Sequence, residues 1–234
     1  QIYYMYNAQL GNACTATLIT PRVVLLARHC IANATGISPG FDITFRVGIN
    51  GIMPSRIYAT ASIHVIPGSR HAWGEGANAT DVALAVLTTD AGETPIPIAR
   101  TSPAALLGRT ITAVGFGEIP TGDQDFRLRM SSFVDRIGDG IVFLPPTVCH
   151  GDSGGPLLAD DGHIYGVASY MFRVSGAPAG CGSERGAYNE IFRRLAWIDS
   201  VVATTIPPCV PSAEVCNGRD DDCNGGIDEP CVAA

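Results

Sequence analysis

The sequence predicts an all-β body that ends in one helix and is followed by a small cysteine-rich tail. Three observations carry this reading. Short Val/Ile/Thr/Phe-rich runs alternate with turn residues, and the 234 residues include 27 Gly and 16 Pro. A single stretch near the end has helical spacing, and the eight cysteines form an even set, four of them beyond residue 205. β-branched and aromatic side chains suit a pleated, half-buried surface, and Gly and Pro punctuate it with turns.

The strand-like runs fall at 16–19, 23–26, 42–47, 56–65, 82–87, 110–114, 141–144 and 164–170. Such spacing suits a barrel or a sandwich. Ile191, Leu195, Ile198 and Val202 recur at i, i+4, i+7 and i+11, which predicts an amphipathic helix over 188–202. Consecutive prolines at Pro207-Pro208 cannot continue a helix. The boundary is therefore set near 205, with a main domain over 1–204 and a tail over 205–234. The length suits one large domain with an appendage. No run approaches the roughly 18 consecutive apolar residues of a membrane span, so none is expected, and the start of the chain lacks a charged-then-apolar leader.

Net charge is -7. The tail holds six acids against Arg219, a net of -5, which leaves -2 for the body. A nearly balanced body with an acidic end excludes nucleic acid as a partner, because that role needs clustered basic residues. All fifteen basic residues are Arg, which reads as the coding bias of a GC-rich bacterium.

The strongest chemical signal is Cys149-His150-Gly151-Asp152-Ser153-Gly154-Gly155-Pro156. Its glycines let the backbone turn sharply around a serine and present amide hydrogens outward. A serine hydroxyl is a weak nucleophile until a base takes its proton and donors hold the developing oxyanion. A base is available in Leu26-Ala27-Arg28-His29-Cys30, and a carboxylate at Asp81 opens the apolar run Val82-Ala83-Leu84-Ala85-Val86-Leu87.

These three segments, in the order His, Asp, Ser, resemble the trypsin and chymotrypsin family of serine proteases, and further matches extend over most of residues 8–202. Val114-Gly115-Phe116-Gly117 looks like the family's Gly-Trp-Gly segment, and Gly166-Val167-Ala168-Ser169-Tyr170 looks like its substrate-binding strand. The resemblance implies two six-stranded antiparallel Greek-key barrels with a C-terminal helix. It implies a secreted serine endopeptidase acting on polypeptides, with Ser153 as nucleophile, His29 as general base and Asp81 as its orienting carboxylate. The amides of Gly151 and Ser153 would form the oxyanion hole, and catalysis would need no cofactor. Disulfides Cys14–Cys30 and Cys149–Cys181 are implied likewise, in keeping with an oxidising compartment.

Two departures sharpen the expectation. Family members become active when a new N-terminal ammonium pairs with the Asp before the serine, here Asp152. Gln1-Ile2-Tyr3-Tyr4 is no such start, so the activating terminus is expected to be missing from these residues. An alternative reading follows: a catalytically silent or zymogen-like binding protein on the same fold, displayed at the cell surface. Arg28, in place of a small residue, is read as solvated in preference to lying at the cleft rim. In the pocket, the family position that selects basic side chains when acidic is Thr147, which predicts non-basic P1 residues. His150, Ser169, Tyr170, Met171 and Gly186 complete the expected substrate-binding set. The remaining histidines carry no catalytic or zinc spacing.

The tail places Asp220, Asp222, Asn224 and Asp228 around a glycine turn, oxygen chemistry that suits calcium. Cys231 stands where a calcium loop of the EF-hand kind has its bidentate Glu, so that loop is incomplete. The segment resembles a metal-binding motif of surface and secreted proteins of myxobacteria, which implies secretion or attachment to a bacterial cell surface through the tail. With the other cysteines assigned, Cys209, Cys216, Cys223 and Cys231 pair among themselves in one of three ways. A disulfide knot with a solvated acidic surface and no metal is the other reading.

Overall fold

A computed structural model of the chain describes residues 1–33, 36–67, 81–118, 126–176, 178–205, 213 and 215. The first half contains β1 (Ile2–Asn7), β2 (Asn12–Leu18), β3 (Val23–Leu26), the short hairpin β4 (Ala32–Asn33) and β5 (Gly36–Ile37), then β6 (Ile43–Val47), β7 (Arg56–Val65) and β8 (Ala83–Leu87). The second half contains β9 (Thr110–Gly115), β10 (Leu128–Phe133), β11 (Arg136–Gly138), β12 (Ile141–Leu144), β13 (Pro156–Leu158), β14 (Ile164–Phe172) and β15 (Arg185–Glu190), and ends in α1 (Leu195–Thr205).

The first six long strands close into an antiparallel barrel in the order β1-β2-β3-β8-β7-β6. The second sheet runs β10-β9-β13-β14-β15-β12-β11. Its two ends, β10 and β11, are halves of one chain run that bends at Val134–Asp135. The bend is pinned by hydrogen bonds from Gly108 N to Val134 O and from Asp135 N to Phe143 O, 2.8 and 2.9 Å. Counted as runs, six strands close the second barrel too, and they repeat the order of the first. The expected pair of Greek-key barrels is what forms.

Each barrel owns a core. Tyr3, Met5, Leu18, Leu25, Phe45 and Leu84 are fully buried in the first, and Ile111, Val142, Leu157 and Tyr188 centre the second. A third cluster joins them: Ile2 and Tyr4 of β1 meet Phe116, with the Tyr4 and Phe116 rings edge-on at 5.6 Å. The sequence reading passed over β1 because Ile2-Tyr3-Tyr4-Met5 is apolar on both faces and so shows no alternation. It also passed over β10, whose residues are mostly exposed and carry no burial pattern.

The expected C-terminal helix forms, but its start is a correction. Residues 185–190 form β15, with Tyr188 opposite both Val142 and Ala168, so the strand occupies what helical spacing had claimed. A 3-10 turn at Phe192–Arg194 then leads into α1. Ile191, Ile198 and Val201 pack on the first barrel, and Arg100 holds Asp199 through both carboxylate oxygens at 2.7 and 2.8 Å. Ladder pairing in the centre of a sheet outweighed the local period.

Leu84 sits fully buried on β8 between β3 and β7. Leu84→Ala is expected to lower the unfolding free energy by about 3 kcal/mol with the denaturant slope unchanged, as read from urea titration followed by tryptophan fluorescence.

Candidate active site at the barrel seam

His29 lies in a 3-10 turn, Arg28–Cys30, that leaves the end of β3, and Asp81 stands just before β8. The ladder pairs Leu26 with Ala83, so strand register alone brings the two side chains together. Asp81 Oδ1 accepts from the His29 amide at 2.8 Å, and Oδ2 contacts His29 Nδ1 at 2.7 Å. The side chains are 9% and 16% exposed, so the pair is held away from bulk water. Ser169 Oγ donates to the same Oδ2 at 2.5 Å from the second barrel. A register shift between Ala168 and Tyr170 leaves Ser169 as the extra residue of a bulge, which frees its side chain for this contact.

Ser153 is positioned from the other side of the seam. Its carbonyl accepts from Thr15 N at 2.8 Å, and Thr15 Oγ1 donates to Gly151 O at 2.9 Å while accepting from Phe116 N at 2.9 Å. Disulfide Cys14–Cys30 ties β2 to the His29 turn, and Cys149–Cys181 ties the serine loop to the segment before β15, both as expected. Gly151 has φ +98°, a conformation that L side chains rarely adopt. No described residue accepts a hydrogen bond from the amides of Gly151 or Ser153, which leaves both donors unused by the fold.

Asp152 points away from the serine into the second barrel. Its two oxygens accept from Gly117 N and Cys149 N, each at 2.8 Å. A Cβ on Gly115 or Gly117 would fall 2.0 Å from Oδ1 or 2.4 Å from Cγ of this carboxyl, so both glycines are required by its seat. Burial pushes the Asp152 carboxyl up to about 6, against the pull of the two amides. Beside it opens a cavity of about 190 Å³ lined by Leu128, Met130, Thr147 and Val148.

A second cavity, about 140 Å³, adjoins Ser153. His150, Ser169, Tyr170 and Met171 line it, as the sequence predicts, together with Val148, Ala168 and Glu184. Two expected residues lie elsewhere. Thr147 lines the Asp152 cavity, because its hydroxyl is turned to Pro145 O and to Ser132 Oγ. Gly186 lies beneath Val148, whose Cγ2 is 3.1 Å from the place a Cβ would take. Arg28 is a further correction: Nε and Nη1 are buried without an acceptor, not solvated.

Sequence reasoning missed Thr15 and Glu184. Nothing local marks Thr15, whereas Glu184 is bracketed by Cys181 and Gly186 and could have been placed. The sulfur groups Cys14, His29, Cys30 and Glu118, Cys149, Cys181 come close together, but the cysteines are oxidised and offer no thiolate to a metal. The tail residues Cys209, Cys216, Asp220, Asp222, Cys223, Asn224, Asp228 and Cys231 lie outside the described residues.

Comparison with known proteins places the geometry. A crab protein, Brachyurin from Leptuca pugilator, is 27% identical over 226 residues, covering 82% of this chain and 88% of its own. Snake venom serine protease homolog 1 from Trimeresurus stejnegeri is 41% identical over 73 residues, which is 30% of this chain and 26% of its own length. The solved structure of neuropsin, a serine protease expressed in the limbic system of mouse brain, shares the fold at 21% identity. Its TM-score is 0.67, with 86% of this chain and 93% of that one covered. The Trypsin family model matches residues 1–198, and with that span and the barrel-seam geometry the chain belongs to the trypsin family of serine proteases.

Proposed function

We propose that the chain is a secreted serine endopeptidase that cleaves polypeptides through an acyl-enzyme. The observation that carries this is the His29–Asp81 contact at 2.7 Å, joined through Ser169 to the cavity that Ser153 also lines. In this reading Ser153 Oγ attacks the scissile carbonyl and His29 Nε2 takes its proton. Asp81 fixes the imidazole tautomer through Nδ1 and stabilises the imidazolium. The free amides of Gly151 and Ser153 receive the oxyanion, and His29 then returns its proton to the leaving amine. Water repeats the sequence on the acyl-enzyme. Ser169 acts through Asp81 as a positioning residue. The two disulfides support an oxidising compartment outside the cell.

A second reading, a catalytically silent binding protein, rests on Asp152. Among the described residues its donors are two backbone amides, with no cation. We take the missing partner to be an ammonium generated by proteolysis, seated in the cavity beside Asp152. For the tail we propose calcium, on the oxygen chemistry of Asp220, Asp222, Asn224 and Asp228.

A fluorophosphonate is expected to label the proteolytically processed protein at Ser153 and not its Ser153→Ala variant. His29→Ala should lower kcat/KM on a peptide substrate about ten-thousand-fold, and absence of labelling would establish the silent reading. Asp152 carries a pH signature. Its folded pKa, about 6, lies above the unfolded value of about 4, so the folded state binds the proton more tightly between them. Stability from this group is full below about pH 4 and is lost as pH rises through 6. Asp152→Asn should remove that decline, worth on the order of 2 kcal/mol, in denaturant titrations at successive pH values. For the tail, calorimetric titration of chelated protein with calcium should show binding that Asp220→Ala with Asp222→Ala abolishes.

A further inference from the structure

The cavity beside Ser153 is neutral along most of its wall. Val148, Ala168, Tyr170 and Met171 present apolar surface, and Met171 packs against the core cluster that includes Val148, Ala168 and Tyr188. One lining residue, Glu184, carries a carboxylate. Its side chain is only 19% exposed. Its backbone is fixed by a hydrogen bond from Glu184 N to Gly180 O, 3.2 Å, and by the Cys149–Cys181 disulfide three residues away.

Among the described residues, the cations near Glu184 do not consume its acceptors. Arg173 Nε stands 3.8 Å from Oε1, outside hydrogen-bond distance, on a side chain that is 54% exposed. The adjacent Arg185 is paired with Asp135. The other titratable side chains on the cavity are Tyr170, a phenol, and His150, which is exposed. An enclosed carboxylate without a close donor is a standing site for one, since charge-assisted hydrogen bonds are short and strong where water is scarce.

We propose that Glu184 is a specificity-determining residue, selecting substrates whose P1 side chain ends in an ammonium or guanidinium. The proposal rests on Ser153 being the nucleophile. The aliphatic stem of a Lys or Arg side chain lies along Tyr170, Met171 and Val148, and its head meets Glu184 in the place Arg173 approaches from outside. This reverses the non-basic preference expected from Thr147, because the charge comes from the strand-edge segment before β15 and not from the serine loop.

The test uses the processed full chain, Glu184→Gln and Arg173→Ala, with two readouts. Paired chromogenic peptides identical except for Arg or Leu at P1 give the ratio of kcat/KM values. The ratio should favour Arg in the wild type, fall about tenfold or more in Glu184→Gln, and rise in Arg173→Ala. Equal ratios in wild type and Glu184→Gln overturn the proposal. Benzamidine, an arylamidine that needs no turnover, is titrated by calorimetry in parallel. Should no peptide be cleaved and no fluorophosphonate react, the nucleophile reading fails and benzamidine decides for Glu184 alone. Binding weakened about tenfold or more by Glu184→Gln supports the site, and unchanged or absent binding overturns it.

Discussion

The hydrogen bond from Ser169 Oγ to Asp81 Oδ2 crosses the seam between the two barrels, beside the apolar contacts of Ile2, Tyr4 and Phe116 that join their cores. Thr15 makes the reciprocal crossing, bonding Ser153 O and Gly151 O from the first barrel. Each barrel therefore fixes a functional group that belongs to the other. Asp81 and His29 are oriented partly by the second barrel, and the serine loop is oriented partly by the first. Such mutual support is what rigid preorganisation requires, because a reacting group held from only one side is free to drift by the fraction of an ångström that matters.

A second constraint shapes the serine loop from beneath. A carboxyl placed inside a barrel is unfavourable unless its oxygens are occupied, and Asp152 meets this with the amides of Gly117 and Cys149. The close approach leaves no room for a side chain at Gly115 or Gly117. The raised Asp152 pKa shows that two amides do not fully offset the loss of water. A cavity of about 190 Å³ adjoins this carboxyl.

Pocket chemistry turns on which segments converge, and this is where linear reading fell short. Thr147 stands six residues before Ser153, yet its hydroxyl is engaged by Pro145 and Ser132 on the Asp152 side. Glu184, thirty-one residues after Ser153, reaches the same cavity as Ser153 because Cys149–Cys181 brings its segment across. That bridge, the pairing of β15 with β12 and β14, and the seating of Val148 on Gly186 bring the serine loop and the segment before β15 together.

The sequence by itself determined the all-β class and the runs that became β3, β7 and β12 with their observed bounds, and its motifs nominated His29, Asp81 and Ser153, while the pairing of the two disulfides came from the family resemblance. These are local signals: alternation, turn residues, and short motifs whose chemistry is carried by adjacent side chains. Tertiary structure alone decided that β1 is buried on both faces, that β15 takes residues 188–190 from the expected helix, and that β10 and β11 bend to close the second barrel. It also decided that Thr15 and Ser169 span the seam and that Glu184, not Thr147, lines the cleft. The physical reason is common to all of these. Sheet register and barrel closure are set by pairings between residues far apart in the chain, and no short window of sequence contains both partners.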